Sequence, residues 1–271
     1  MRAYISGVAG FLGSEVARQM LDLGYEVYGC DNLLTGQRSN VPKGVKWAAI
    51  SVQEASEQFS LPIDFLIHCA AIARSAWGNN DDLWEQNVRG TMAAVSLARN
   101  NGGKIIHISS SVVHVPNSSI YAKTKEVAEQ IALSNGAVAL RFSNIYGPGQ
   151  SEEEQEPNVI ASMRQQAKET RTVRVDGDGS QRRDFIHVTD AALAVIKAIG
   201  RSVPPIWLDV CSGETITILE IANMFGLPIR WAPSRNDPHE IIQDSEYASR
   251  WLIGWEPSIA LKDGLAEVCN I

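Results

Sequence analysis

A tyrosine and a lysine four residues apart are the clearest candidates in the sequence for acid–base chemistry. Tyr121 and Lys125 fall in a segment of helical periodicity, so they share one face of a helix. A phenol titrates near pH 10, and lowering its pKa by about three units requires ~4 kcal/mol of preferential stabilisation of the phenolate. An ammonium nearby supplies part of that stabilisation in a partly dry site. Taken alone, such a pair is usually only a helix surface, so its interpretation depends on what surrounds it.

Three serines precede this pair, at the end of an apolar segment. Ser109, Ser110 and Ser111 follow residues with the pattern of a buried strand. Open α/β sheets bind their ligands at the carboxyl ends of such strands. A serine hydroxyl there can hold a substrate oxygen in line with the phenol.

A glycine motif lies near the start of the chain, between a predicted strand and a predicted helix. Gly7, Gly10 and Gly13 follow the pattern Gly-x-x-Gly-x-x-Gly, which differs from the Gly-x-Gly-x-x-Gly of the standard dehydrogenase fingerprint. Small residues let backbone N–H groups approach a pyrophosphate, and the helix N-terminus adds partial positive charge. A tight turn without a ligand is the alternative. In its strand–helix context the motif predicts a dinucleotide site, whose cationic nicotinamide ring would further favour the phenolate of Tyr121.

The residue that ends the second predicted strand bears on the choice of dinucleotide. Asp31 lies 18 residues after Gly13, where a carboxylate can accept hydrogen bonds from the adenosine ribose and repel a 2′-phosphate. This favours NAD over NADP. Arg38 is the opposing signal, because a cation there could accept a phosphate. A turn residue that caps the loop is the alternative role of Asp31.

Strands and helices alternate through the first half of the chain, which implies a parallel sheet with helices on both faces. The fold class we predict is α/β, a Rossmann-like doubly wound parallel sheet with a smaller α/β C-terminal substrate lobe. Strands are predicted at 3–6, 25–30, 45–50, 64–70, 104–109 and 138–142, and helices at 14–23, 81–100 and 120–133.

After residue 149 the elements become smaller. The expected domains are 1–150 for NAD and 151–271 for the substrate. They are interleaved, with Val188–Ile199 and parts of Trp207–Val210 able to return to the first. The predicted elements of the second part are a helix at 158–168, strands at 173–175 and 184–188, and a helix near 259–268.

Composition excludes several classes of protein. The 271 residues are 45% hydrophobic and 20% charged, an ordinary globular mixture, so disorder as the main state is excluded. The net charge of −7 and the absence of a dense Lys/Arg run argue against nucleic-acid binding. No apolar stretch approaches the ~20 residues of a membrane span, and the N-terminus lacks signal-peptide features. The four cysteines lie far apart, so we expect thiols in a reducing cytoplasm and no metal site.

The ordered motifs together resemble one family over nearly the whole chain. The sequence resembles the extended short-chain dehydrogenase/reductase superfamily in its NAD-dependent nucleotide-sugar epimerase/dehydratase branch, and is most similar to UDP-glucose 4-epimerases. The blocks that carry the resemblance are the glycine motif, Asp31-Asn32-Leu33, His68-Cys69-Ala70-Ala71, Asn87-Val88-Arg89-Gly90-Thr91, Tyr121 with Lys125, residues 141–149, residues 177–190 and residues 252–257.

The resemblance implies roles by position. Ser110 would be the catalytic hydroxyl, Tyr121 the acid/base, and Lys125 the ribose ligand that tunes the phenol; Ser111 is the neighbour that could be confused with Ser110. The implied cofactor-binding residues are Gly7, Gly10, Phe11, Leu12, Gly13, Asp31, Asn32, Thr35, Ser51, Val52, Ala70, Ala71, Asn87, Ser109, Tyr121, Lys125, Phe142 and Ser143. The implied substrate-binding residues are Ser111, Asn144, Asn158, Arg183 and Arg235. Structural pairing with a nearby aspartate is the alternative for Arg183, and a solvated loop charge is the alternative for Arg235.

Departures from the family pattern concern the base and the sugar. Ser51 stands where relatives carry an aspartate for the adenine, and Asp176 stands where an apolar or aromatic residue often lines the base site. His114 replaces the usual tyrosine beside the sugar pocket. Ile241 or Ile242 falls near the position that limits pocket size around the sugar C2 group.

Absent residues help to choose the reaction. Ser111-Val112 lacks the acidic pair of the dehydratases, and Val112 stands where the decarboxylases carry a glutamate. We therefore expect a nucleotide-sugar 4-epimerase that oxidises C4 transiently to a 4-keto sugar and returns hydride to the opposite face. A 4-keto nucleotide-sugar reductase using NAD(P)H and a non-catalytic NAD-binding sensor are the alternatives. The resemblance also implies a homodimer through a four-helix bundle of the helices at 81–100 and 120–133, with a monomer as the alternative.

Overall fold

The computed structural model of the chain describes residues 1–73, 80–151, 158–199, 206–235 and 238–269. Its strands are β1 (Arg2–Ser6), β2 (Glu26–Cys30), β3 (Lys46–Ala48), β4 (Phe65–His68), β5 (Lys104–Ser110), β6 (Val138–Phe142), β7 (Asn144–Tyr146), β8 (Val173–Asp176), β9 (Arg182–His187), β10 (Trp207–Val210), β11 (Thr215–Thr217) and β12 (Ile229–Ala232). Its helices are α1 (Phe11–Asp22), α2 (Val52–Gln58), α3 (Asn80–Leu83), α4 (Gly90–Asn101), α5 (Ile120–Ser134), α6 (Val159–Thr170), α7 (Val188–Ile199), α8 (Ile218–Met224), α9 (Ser245–Trp251) and α10 (Leu261–Cys269).

Seven parallel strands form the main sheet, in the order β3-β2-β1-β4-β5-β6-β10. Apolar side chains of α1 and α7, such as Met20 and Val195, pack on one face. Those of α2, α4 and α5, such as Leu97 and Ala132, pack on the other. The strand order reverses between β1 and β4, where a doubly wound sheet opens a crevice for a ligand. The predicted Rossmann-like α/β fold is confirmed.

A smaller lobe carries its own core. Strands β7, β9 and β11 form one small sheet, and β8 and β12 form another. Tyr146, Phe185 and Ile221 are buried between these strands and α6, α8 and α10. The chain returns to the main sheet twice, because α7 packs against α1 and β10 pairs with β6.

Several element boundaries differ from the sequence predictions for local reasons. Helix α1 begins at Phe11, not 14, because Gly10 is its N-cap, so the last motif glycine already lies in the helix. The predicted helix 81–100 contains a π-helical turn at Trp84–Arg89 between α3 and α4. The strand predicted at 184–188 ends at His187, since Val188 begins α7. Within the described residues, every helix is too short or too polar to cross a bilayer.

Candidate functional site

A cavity of about 550 Å³ opens at the carboxyl ends of the main strands, against the smaller lobe. The glycine motif, the serines at the end of β5 and the first turns of α5 line it. All of the predicted site residues lie in described parts of the chain, and all of them except Asn87 and Arg235 line this cavity. One crevice therefore brings the predicted cofactor and substrate residues together.

The glycine motif builds a cradle for an anion. Gly7 has φ +78°, and a Cβ added to it would lie 2.6 Å from the Ala70 backbone nitrogen. A Cβ on Gly13 would meet the Gly7 carbonyl oxygen, so α1 packs directly on the turn. The N-cap of α1, Gly10, makes no side-chain capping bond, and its first turn holds no acidic residue. Backbone N–H groups and the positive end of the helix are thus available to a diphosphate, which fits NAD.

Asp31 caps the loop after β2 and lines the cavity, while its contact with a cofactor ribose stays a prediction. Its carboxylate accepts hydrogen bonds from the backbone nitrogens of Ala9 (3.0 Å) and Leu33 (2.8 Å). Burial raises its pKa, and these backbone donors oppose that rise. Arg38, the candidate for a 2′-phosphate, lies outside the cavity lining with its guanidinium carbon 5.3 Å from the Trp47 ring centroid.

Helix α5 places the tyrosine and the lysine at the cavity. The Ser119 hydroxyl accepts a hydrogen bond from the Ala122 nitrogen (3.0 Å) and caps the helix two residues before Tyr121. Lys125 is buried, and its Nζ donates to the Ile108 carbonyl oxygen at 2.7 Å. Burial lowers the pKa of Lys125 to about 8, while Glu129 and Cys69 act in the opposite direction. A buried ammonium four residues from a phenol is the arrangement expected to acidify that phenol.

The serines near the end of β5 and Ser143 make different contacts. Ser110 Oγ accepts from the Val112 nitrogen at 3.4 Å, a long bond that leaves a hydroxyl at the cavity. Ser111 also lines the cavity, so both remain candidates for the catalytic hydroxyl. Ser109 Oγ instead donates to Glu129 Oε2 at 2.6 Å. Ser143 lines the cavity with a buried hydroxyl that has no hydrogen-bond partner among the described residues, which leaves it available to a cofactor.

Two residues implied as cofactor ligands have their side chains occupied. Asn87 accepts from the Ile72 nitrogen (2.8 Å) and donates to the Ile72 carbonyl (3.1 Å) and Thr124 Oγ1 (3.0 Å). It therefore ties the segment after β4 to α5 from outside the cavity. Ser51 Oγ forms a capping box with Glu54 at the start of α2.

The two arginines implied as diphosphate ligands are placed differently. Arg183 lines the cavity, and its Nη1 donates to the carbonyls of Arg182 (2.8 Å) and His239 (3.0 Å). Arg235 Nε instead lies 2.6 Å from Asp176 Oδ2, outside the cavity lining. The role of Arg235 as a ligand stays a prediction that requires this ion pair to open.

Residues flanking the sugar pocket are also placed. Ile241 lines the cavity, whereas Ile242 is 81% exposed. His114 lies outside the lining and pairs with Asp209 at 2.8 Å. Sequence reasoning missed the buried Glu129 and its partly buried partner Arg141, although the position of Glu129 four residues after Lys125 was a usable signal. Within the described ranges no cluster of three or more His, Cys, Asp or Glu is arranged for a metal ion.

Comparisons with known proteins agree with this geometry. Residues 3–207 match the model of the NAD dependent epimerase/dehydratase family. The chain is 27% identical to a putative UDP-glucose 4-epimerase of Methanocaldococcus jannaschii, over 98% of this chain and 96% of that protein. It is also 27% identical to UDP-glucuronic acid decarboxylase 4 of Arabidopsis thaliana, over 98% of this chain and 67% of that protein.

A solved structure shares the fold throughout. The UDP-glucose 4-epimerase of Thermotoga maritima with UDP-glucose superposes with a TM-score of 0.90 at 23% identity, over 100% of this chain and 98% of that one. At this identity the likeness supports the fold alone. The family match covers most of the chain, and the crevice has the features of a site for NAD. The chain therefore belongs to the NAD-dependent epimerase/dehydratase family.

Proposed function

We propose that the protein is a nucleotide-sugar 4-epimerase similar to UDP-glucose 4-epimerases. The observation that carries the proposal is the buried Lys125 ammonium one helical turn from Tyr121, in the cavity that also holds the glycine cradle and Ser110. NAD bound in this cavity would supply the redox chemistry, as the acceptor of hydride from the sugar C4 and its donor to the other face.

The chain's own residues move the proton. The Tyr121 phenolate takes the proton of the C4 hydroxyl, and the resulting phenol later gives it back. Lys125 favours the phenolate and binds the nicotinamide ribose, while Ser110, or its neighbour Ser111, holds the C4 oxygen in line. Oxidation gives a 4-keto sugar, which turns over in the pocket before C4 is reduced again.

The substrate is anchored by its nucleotide diphosphate. Arg183 offers a guanidinium suited to bidentate phosphate contacts, and Asn144 and Asn158 line the same cavity. Asn144 Nδ2 donates to the Asp184 carbonyl, and Asn158 caps α6 and donates to the Ile145 carbonyl. These bonds hold both amides in place. Arg235 joins them when it leaves Asp176.

The lining at Val112 favours epimerisation over decarboxylation. Relatives of both kinds match the chain at the same identity. Val112 contributes an apolar side chain to the cavity and no carboxyl group. Catalysis by a carboxyl group at this position is therefore not available.

Replacing the tyrosine tests the proposal. We expect Tyr121→Phe to lower turnover of a nucleotide sugar by about 10³-fold and to leave NAD bound after gel filtration. Tyr25→Phe, a change at the opposite end of the sheet, should leave turnover unchanged. Near wild-type activity in Tyr121→Phe would refute the proposal. Cofactor that exchanges freely during turnover would favour the 4-keto reductase.

We propose further that the protein is a homodimer in the cytoplasm with a role in carbohydrate biosynthesis. Trp84, Met92 and Ile120 are exposed apolar side chains on the segments predicted to form a four-helix bundle. Cys30, Cys69, Cys211 and Cys269, all within the described residues, form no disulfide, as suits a reducing compartment. Sedimentation at about twice the 29.6 kDa chain mass supports the dimer, and a monomer contradicts it.

A further inference from the structure

A buried carboxylate lies one turn beyond Lys125 on α5. Glu129 is 2% exposed. Arg141 Nε lies 3.1 Å from its Oε1 and 2.9 Å from its Oε2, and Arg141 Nη2 lies 2.5 Å from Oε1. Burying an ion pair rarely adds net stability, because both charges lose their hydration. This pair therefore calls for a role other than holding the fold together.

The contacts of Glu129 fix α5 against the sheet beside Lys125. Consecutive residues of β5 receive the two side chains: the Ile108 carbonyl accepts from Lys125, and Ser109 Oγ donates to Glu129. Ser109 pairs with Arg141 across β5 and β6. The guanidinium carbon of Arg141 lies 3.9 Å from the Trp207 ring centroid, so β10 holds it in place.

The charges around Lys125 single out Glu129. Burial lowers the pKa of His68 and of His107 and raises the pKa of Cys69 to about 12, so all three are uncharged near neutral pH. Among the described groups that act on Lys125, Glu129 is then the carboxylate. Its negative charge offsets the cost of burying the lysine ammonium. Among the described residues, the titratable groups that interact with Lys125 are Glu129 on α5, His68 on β4, Cys69 directly after it, and His107 on β5, and Tyr121 precedes Lys125 by one turn of α5.

We propose that Glu129 is a positioning residue, whose carboxylate, clamped by Ser109 and Arg141, keeps Lys125 charged and in register with Tyr121. It touches neither the substrate nor the cofactor in this role. Its effect on turnover rests on the proposed function, whereas its effect on the lysine does not.

The lysine can be titrated directly in the full chain. With lysine labelled by ¹³C at Cε, the resonance absent from Lys125→Met reports Lys125 by NMR, with a midpoint expected near pH 8. Glu129→Gln keeps the shape and one acceptor oxygen for Arg141 but removes the charge, and should lower that midpoint by about one unit. Glu126→Gln is the matched control, because Glu126 is on the same helix and pairs with Lys123. It should leave the midpoint unchanged.

A second variant keeps the test decisive if Glu129→Gln fails to fold. Glu129→Gln with Arg141→Gln removes both charges, and it should lower the Lys125 midpoint by less than the single change does. An unmoved midpoint in either folded variant overturns the inference and leaves Glu129 a purely structural residue.

Turnover separates this inference from the proposed function. If the wild type epimerises a nucleotide sugar, the alkaline limb of kcat should move to lower pH in Glu129→Gln by the same amount as the Lys125 midpoint. A wild type without turnover refutes the proposed function while the NMR shift still supports the positioning role. Turnover with equal midpoints in both proteins refutes the positioning role alone.

Discussion

The buried charge of Lys125 lowers the stability of the fold and serves the proposed chemistry. Its ammonium is buried against the Ile108 carbonyl, and its pKa falls to about 8 from the ordinary 10.5. A depressed lysine pKa means that the folded chain holds this proton less tightly than the unfolded chain does. Between these two values the unfolded chain binds more protons, so the stability of the protein rises with pH over this window.

Removing this charge should therefore stabilise the fold. We expect Lys125→Met to lose turnover and to raise the free energy of unfolding by about 3 kcal/mol at pH 7. The gain should shrink as the pH rises from about 8 towards 10.5, because the wild type recovers stability there. Urea denaturation at pH 7 and pH 9.5 measures the gain in the free energy of unfolding and its decrease with pH. Lys123→Met, at an exposed position of the same helix, is the control and should show no such pH dependence. An equal gain in the free energy of unfolding at both pH values in Lys125→Met would contradict the account.

Residue types and spacing predicted the glycine motif, Asp31, the serines and the Tyr121–Lys125 pair at the cavity, and the resemblance supplied the other predicted lining residues. The pairing of Tyr121 with Lys125 depends on helix periodicity, which is local. The ion pair between Arg235 and Asp176 joins a loop to β8 across 59 positions, so no local sequence pattern could predict it. Asn87 likewise was placed at the cofactor by resemblance, while its partners Ile72 and Thr124 are set by tertiary packing.

At the scale of elements, the start of α5 decides where the phenol lies. Tyr121 is the second residue of the helix, and Ser119 supplies the cap. Helix periodicity predicted the N-terminus of this helix correctly. The capping serine was not singled out, although a serine directly before a periodic segment is a recognisable signal. The short strands β7, β11 and β12 were not predicted, because three or four residues carry little periodicity.

The cap should matter to turnover as well as to stability. Ser119→Ala should cost about 1 kcal/mol of stability and reduce kcat several-fold, because the turn that carries Tyr121 frays. Thr217→Ala removes the corresponding cap of α8, far along the chain, and should cost similar stability without changing kcat. Faster amide exchange at Ala122 in Ser119→Ala would locate the effect in the first turn of α5. Equal kcat values in the two variants would contradict this view of the cap.

At the scale of the whole molecule, the site exists because the chain crosses between two lobes. The main sheet supplies the glycine cradle, the serines and α5, while Arg183 comes from β9 in the smaller lobe. Strand–helix alternation predicted the sheet. The pairing of β10 with β6 joins residues far apart in the chain, and the sequence predicted only that parts of Trp207–Val210 could return to the first domain. A substrate that fills this crevice must contact both lobes, which suits a nucleotide sugar with its diphosphate on one side and its C4 hydroxyl on the other.

The fate of the C4 hydrogen tests the central claim most directly. Purified protein, without added cofactor, would be incubated with UDP-, GDP- and dTDP-hexoses deuterated at C4, and the sugars resolved by NMR. The account predicts a product with inverted C4 that keeps its deuterium, since hydrogen leaves and returns within one site. Failure to invert any of these sugars, loss of the deuterium to water, or turnover of only a 4-keto sugar with added NAD(P)H would contradict it.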